Sequence, residues 1–250
     1  MSLTLSVAPT PLDDGVAFQH RRQRTSLAFV AANLTYPARQ QIETFIANGF
    51  ATRYNAHITS FMPMLFALEF NGVKAAAGAR CSATDSTNHA LFIEQYLDST
   101  IEGELLRHGI STQRHEIVEV GNLFSCSPRY TLPLLLSLFF LFSQLGKKHV
   151  VFSATKQVKK LLQNSGVSLI FLAPADARKL ISSQDNWGTY YDTAPQVIAL
   201  SLKEVTHQVV NSVLLRQYYQ QAIGLITGSN FEQQLNDALA CYPKGASHVA

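Results

Sequence analysis

IVEVGNLFSCSPRYTLPLLLSLFFLF, residues 117–142, decides how this chain folds. It opens as a strand, with Ile117, Val118 and Val120 around Glu119. It breaks at Gly121–Asn122 and passes through small polar residues. It ends in eleven residues, Leu132 to Phe142, with one serine as the sole polar side chain. Crossing a bilayer takes about twenty apolar residues, and Gln144, Gly146, Lys147 and Lys148 follow at once. A helix this short and apolar on every face belongs between a sheet and other elements. The stretch predicts a central buried helix entered from a broken strand. No transmembrane segment is expected; peripheral contact of another surface with lipid stays open.

The rest of the chain sets the frame. Its 250 residues suit one large domain, or one domain with an appendage. Hydrophobic residues make up 47% and charged residues 15%, enough apolar material for a sizeable core. The net charge of +3 and the short basic pieces (HRRQR at 20–24, lysine pairs at 147–148 and 159–160) argue against a nucleic-acid partner. Three well-separated cysteines, Cys81, Cys126 and Cys241, form neither a disulfide framework nor a zinc motif. Reduced thiols in a cytoplasmic protein without a metal are expected.

Working outward, residues 1–25 read as an N-terminal arm, 26–200 as one domain and 201–250 as a C-terminal helical extension. SLAFVAANLTY (26–36) contains a first strand, and Ile42, Phe45, Ile46, Phe50 and Tyr54 recur at helical spacing after Pro37. Two apolar runs within 64–83 flank Asn71–Gly72, a pair suited to a tight hairpin. Ser99 and Glu102 have capping-box spacing for a helix ending near Gly109. From residue 114 strands and helices alternate: a strand to Leu123, the helix 131–146 with Thr131 as its cap, and strands over 149–155 and 167–173. Residues 187–200 read as a final strand region broken at Asp192–Pro195. Two helical stretches follow, at 205–225 and 230–242, and they offer a surface for a homodimer. These elements describe an α+β fold with a mixed central sheet of six to seven strands flanked by helices.

FMPMLFALE (61–69), LFIEQYLDSTIE (91–102), IVEVGNL (117–123), VVFSAT (150–155) and WGTYYDTAPQV (187–197) resemble the thermostable hemolysin family. The resemblance covers roughly residues 40–200. It implies a divergent branch of the GNAT-like acyl-CoA N-acyltransferase fold, shared with acetyltransferases and acyl-homoserine-lactone synthases. It further implies a thioester acyl donor, either acyl-CoA or the phosphopantetheine of an acyl carrier protein, and a small amine acceptor. In that fold, splaying of the fourth and fifth strands opens a slot for the pantetheine arm, and a glycine-containing turn holds the pyrophosphate. Here residues 124–130 read Phe-Ser-Cys-Ser-Pro-Arg-Tyr, without glycine, while Arg129 stands where the family carries arginine.

The residues at the break suit such a ligand. A loop entering a helix N-terminus supplies N–H donors and positive potential for a phosphate. Leu123, Phe124, Ser125, Arg129, Tyr130 and Thr131 are the candidate cradle. Gly121 and Asn122, at a strand-interior glycine that marks a bulge or close approach, and Thr155 at the end of the next strand, are candidates for the arm. Aminolysis of a thioester needs a base. Glu119, a carboxylate on an apolar strand, is either that base or half of a structural ion pair. Glu94 with Asp98 is a candidate acceptor site, with Trp187 as a pocket wall. The resemblance makes Tyr190 or Tyr191 the acid that protonates the departing thiol. Three functions remain open: N-acyl transfer, an inactive protein that binds an acyl group or cofactor, and a membrane-active haemolytic protein.

Overall fold

The computed structural model describes residues 26–81, 90–181 and 185–227. The expected N-terminal arm and the helical stretch at 230–242 lie outside the described residues. The strands are β1 (Ala28–Ala32), β2 (Met64–Glu69), β3 (Val73–Arg80), β4 (Ile117–Ser125), β5 (His149–Ala154), β6 (Ile170–Pro174) and β7 (Gln196–Ser201). The helices are α1 (Arg39–Tyr54), α2 (Ile101–Arg107), α3 (Pro128–Gln144), α4 (Lys156–Asn164), α5 (Leu202–Asn211) and α6 (Val213–Thr227). Two 3-10 turns, Phe92–Tyr96 and Tyr190–Thr193, complete the parts that shape the site.

The seven strands form one sheet in the order β1-β2-β3-β4-β5-β7-β6. Every adjacent pair is antiparallel except β4 with β5. Parallel neighbours need a crossover, and α3 is that crossover. The β2–β3 hairpin turns at Asn71 (φ 50°) and Gly72 (φ 101°), as the dipeptide predicts. Alternation along each strand divides the core. Phe66, Leu68, Val118 and Val120 face α3, while Leu65, Ala67 and Ala76 face Ile42, Ile46 and Phe50 of α1.

The run at 132–142 is apolar all round because it is covered all round. One side of α3 lies on the sheet. The other meets α6, whose Leu215, Tyr219, Ala222 and Ile226 are buried in the same cluster. The Ser137 hydroxyl, inside this interface, donates to the Ala222 carbonyl at 3.4 Å. Among the described residues no helix is long and apolar enough to cross a membrane.

Several boundaries differ from the sequence reading. Helix α2 is capped by Thr100, whose hydroxyl accepts from the Gly103 amide at 3.3 Å. Ser99 instead donates to Glu104 at 2.8 Å. Helix α3 starts at Pro128, where proline's fixed φ suits a first turn, so Thr131 lies inside the helix and is not its cap. Trp187–Thr193 forms turns, and a left-handed Ala194 (φ 48°) delays the last strand to Gln196. The helix expected over 205–225 breaks at Ser212, whose hydroxyl caps α6 through the Leu215 amide at 3.2 Å.

Candidate functional site

The break in the opening stretch is a geometric one. Strands β4 and β5 pair only from Ile117–His149 to Val120–Phe152. Beyond that point β4 leaves its neighbour. A register shift against β3 between Ala76 and Gly78 inserts an extra residue into β4, and Asn122 takes φ 48° there. A bulge of this kind bends a strand and raises its twist. The result is a cleft with β4 residues Val120 to Ser125 on one side and Phe152, Ser153 and Thr155 on the other. It opens into a cavity of about 600 Å³.

Three neighbours hold the bulge. Asn122 Oδ1 accepts from the Met62 amide at 2.9 Å, and its Nδ2 donates to the Ser60 carbonyl at 3.2 Å. Gly121 and Gly78 are opposed in register, and Met62 lies across both. A Cβ on Gly121 would sit 2.5 Å from Met62 Cε, and one on Gly78 would sit 2.7 Å from Met62 Cβ. Arg39, itself buried, donates to the carbonyls of Ala32, Met62 and Pro63, which fixes the segment carrying Met62. Gly121 thus makes room for the end of the Met62 side chain, and Asn122 spends its side chain on the backbone of 60–62.

Glu119 sits deep in this cavity with 1% of its surface exposed. Its oxygens accept from the amides of Phe92 at 2.8 Å and Ile93 at 3.1 Å, the first residues of a 3-10 turn. Burial disfavours the carboxylate most strongly; Arg80 and the two amides offset part of that, leaving a pKa raised to about 7. Among the described residues no ion pair closes on Glu119, so it is a buried carboxyl poised to gain or lose a proton near neutrality.

The far wall is aromatic: Phe50, Tyr54, Phe92, Trp187 and Tyr190 line it, with neighbouring ring centroids 5.3–6.2 Å apart. The Tyr190 and Ser153 hydroxyls lie 3.3 Å apart, and burial holds the Tyr190 phenol above its ordinary pKa, so it keeps its proton. Tyr191 points instead to Tyr96, with the two hydroxyls 2.6 Å apart, and of these two only Tyr96 lines the cavity. Trp187 is a wall residue, and its buried indole N–H meets no acceptor among the described residues.

The loop expected to cradle a pyrophosphate uses its amides internally. Cys126 N–H donates to the Lys74 carbonyl at 3.0 Å, Ser127 N–H to Ser125 Oγ at 3.3 Å, and Tyr130 N–H to the Ser127 carbonyl at 3.0 Å. Pro128 has none to give. Leu123, Phe124, Ser125 and Thr131 line the cavity. The Phe124 ring packs edge-on to Phe45 at 5.3 Å. Arg129 is exposed outside that lining; it stacks on Tyr130, with its guanidinium 4.6 Å from the ring centroid, and donates to the Tyr130 hydroxyl at 2.7 Å. Thr155 caps α4 at the cavity rim, 3.5 Å from the Val158 amide.

Glu94 and Asp98 lie elsewhere. Glu94 accepts from the amides of Leu91 and Ile101 and takes both Nη groups of Arg114 at 2.8 and 2.7 Å. Its burial opposes ionisation, but Arg114 and the amides outweigh it and hold the pKa below the ordinary carboxylate value. It is a structural anchor that joins the 91–102 segment to the start of β4. Asp98 pairs with Lys179 on the surface at 2.6 Å. Neither lines the cavity. The structure adds Arg53, Arg80, Tyr96, Ser153 and Lys160 to the lining. Arg53 lies over the Phe124 ring at 5.3 Å from its centroid. Nothing in the local sequence marks Arg80, since it ends a strand of small residues and its facing partner depends on register alone.

The mixed sheet, parallel only at β4 and β5 and parted there over a crossover helix, has the fold of GNAT-like acyltransferases. The chain superposes on a CoA-dependent acyl-homoserine lactone synthase, BjaI, with SAM and isopentyl-CoA: TM-score 0.51, 11% identity, 79% of this chain and 90% of that one. A second structure of that synthase, with MTA, matches at TM-score 0.50 and 10% identity over 79% and 90% of the two chains. The thermostable hemolysin family model matches residues 32–206, and the chain belongs to that family. No curated protein matches the sequence.

Proposed function

We propose that this protein is an N-acyltransferase that moves an acyl group from a thioester to an amine. The observation that carries the reading is the parting of β4 from β5 over a cavity that holds the buried carboxyl of Glu119. The parted strands present unpaired backbone groups, which suit the amides of a pantetheine arm. BjaI, with the same fold, is described as CoA-dependent and was seen with isopentyl-CoA.

In the proposed reaction Glu119 takes a proton from the acceptor ammonium. The freed amine attacks the thioester carbonyl and the C–N bond forms; as the C–S bond breaks, the nitrogen sheds its surplus proton to solvent and becomes the amide N–H. Tyr190, protonated at neutral pH and beside Ser153, supplies the proton to the leaving thiolate and is reprotonated from solvent. Direct attack needs no covalent enzyme intermediate, and the exposed Cys126 has no role in it.

The donor is a phosphopantetheine thioester. A pyrophosphate needs several free amides, and the 126–130 loop has already used most of its own. Arg53 and Lys160 remain as cations on the lining. That balance favours the single phosphate of an acyl carrier protein over the pyrophosphate of CoA. The test is thiol release and product mass from purified protein with matched acyl-CoA and acyl carrier protein donors and a panel of amines. Turnover that depends on Glu119 is expected. No turnover with any donor, together with leakage of lipid vesicles, would overturn the reading in favour of a membrane-active protein.

A further inference from the structure

The cavity contains a second charged group that the transfer chemistry leaves unused. Arg80 stands directly opposite Glu119 in the antiparallel β3–β4 pair, and both line the cavity. Facing residues in such a pair have Cβ atoms about 5 Å apart on one face of the sheet. The carboxylate and guanidinium are therefore neighbours, yet they are not joined. Glu119 spends its bonds on the amides of Phe92 and Ile93, and no hydrogen bond or ion pair joins the Arg80 side chain to another described residue. Each Glu119 oxygen keeps a second lone pair, and the Arg80 guanidinium keeps its fork of donors.

A side-by-side anion and cation, the first buried and the second half-buried, each with free valence, complement a ligand that carries the opposite charges on two groups close together. An α-amino acid does so: its ammonium and carboxylate branch from one carbon. We propose that the acceptor is a free α-amino acid with an apolar side chain, its carboxylate held by Arg80 and its amino group by Glu119. The side-chain preference follows from the wall beside them, where Phe92, Ile93 and Trp187 line the cavity. A simple amine would leave the half-buried guanidinium without a counter-charge, and an acidic side chain would lie against the apolar wall of Phe92, Ile93 and Trp187. The product is an N-acyl amino acid, and a reaction supplying activated acyl groups must precede this one.

This inference rests on the acyl-transfer reading for its chemistry but not for its binding, so the two can fail separately. The experiment measures equilibrium binding of leucine and phenylalanine to the full chain by calorimetry. Their decarboxylated counterparts, isoamylamine and phenethylamine, and phenylalaninamide serve as comparisons, and thioester turnover is assayed in parallel. The amino acids should bind at least tenfold more tightly than the amines and the amide. Arg80→Met should narrow that gap to less than threefold, with Arg80→Lys in between. Amines that bind as well as amino acids, or an unchanged gap in Arg80→Met, would overturn the assignment while leaving acyl transfer standing. Amino-acid binding with the stated gap but without turnover would sustain this site and remove the transfer reading. If Arg80→Met fails to fold, the comparison on the unmodified protein still decides.

Discussion

Glu119 carries two consequences at the scale of one side chain. Its carboxyl ionises near 7 in the folded protein and near 4.5 once exposed. Between those values the unfolded chain has released a proton that the folded chain retains. The contribution of this group to stability is thus full below about pH 4.5 and is lost as pH rises through about 7, on the order of 3 kcal/mol at full burial. Glu119→Gln, which cannot ionise, should gain thermal stability relative to the native protein at pH 8 compared with pH 4.5. Melting curves of both proteins at the two pH values check this; a pH-independent difference would contradict it. In turnover, the same variant should lose about a hundredfold or more in kcat/KM and the acidic limb of its pH profile.

Glu94 makes the opposite case. Its bonds to Arg114, Leu91 and Ile101 are all internal. Glu94→Gln should cost about 1–3 kcal/mol in denaturant unfolding and leave the KM for acceptor unchanged. The two glutamates look alike in sequence, each an acid within an apolar run. What separates them is whether the fold brings an arginine into contact or only into view, and no local pattern encodes that.

At the scale of elements, the β4 bulge is the decisive feature. Asn122 combines a left-handed backbone with two side-chain bonds to residues 60–62. Asn122→Ala should cost about 2 kcal/mol, since it loses the bonds and strains the backbone. Asn122→Gly should cost less, because it loses only the bonds. Denaturation midpoints of the two variants give the order, and equal losses would show that backbone strain is absent. Helix α1 supplies a second test. A Cβ on Gly49 would lie 2.3 Å from the Phe124 ring. Gly49→Ala should improve helix propensity yet destabilise the protein by about 1–3 kcal/mol through overpacking, and it should shift Phe124 within the cavity wall.

At this scale the strand-break-helix order around residue 121 is readable from Gly121–Asn122 and the apolar run. The availability of the loop amides after it is not. Residues 124–130 run from the end of β4 into the first turn of α3, as a cradle would. Whether its amides are free depends on Lys74 from the neighbouring strand and on the conformation of Ser125, and both turn them inward.

For the whole molecule, the described part of the tail is bound into the core. Leu215, Tyr219, Ala222 and Ile226 cover the side of α3 away from the sheet. A chain ending at residue 211 would leave that apolar surface in water, and a side chain left so exposed forfeits about 2 kcal/mol. Such a truncation should lose its cooperative thermal transition and bind a hydrophobic dye, as circular dichroism and fluorescence would register. A native-like melt would mean that α3 does not need α6.

The sequence by itself determined the elements and their order, because periodicity, turn dipeptides and proline act over a few neighbouring residues. It also determined that residues 132–142 are buried, since eleven residues are too few to span a membrane. Only the tertiary structure decided what those elements enclose. The parting of β4 from β5, the seat of Met62 on two facing glycines, the pairing of Glu94 with Arg114, and the unjoined neighbours Arg80 and Glu119 all depend on register between distant strands. Register is fixed by how the whole set of faces packs, so a one-residue slip would rewrite the site while leaving every local pattern in the sequence unchanged.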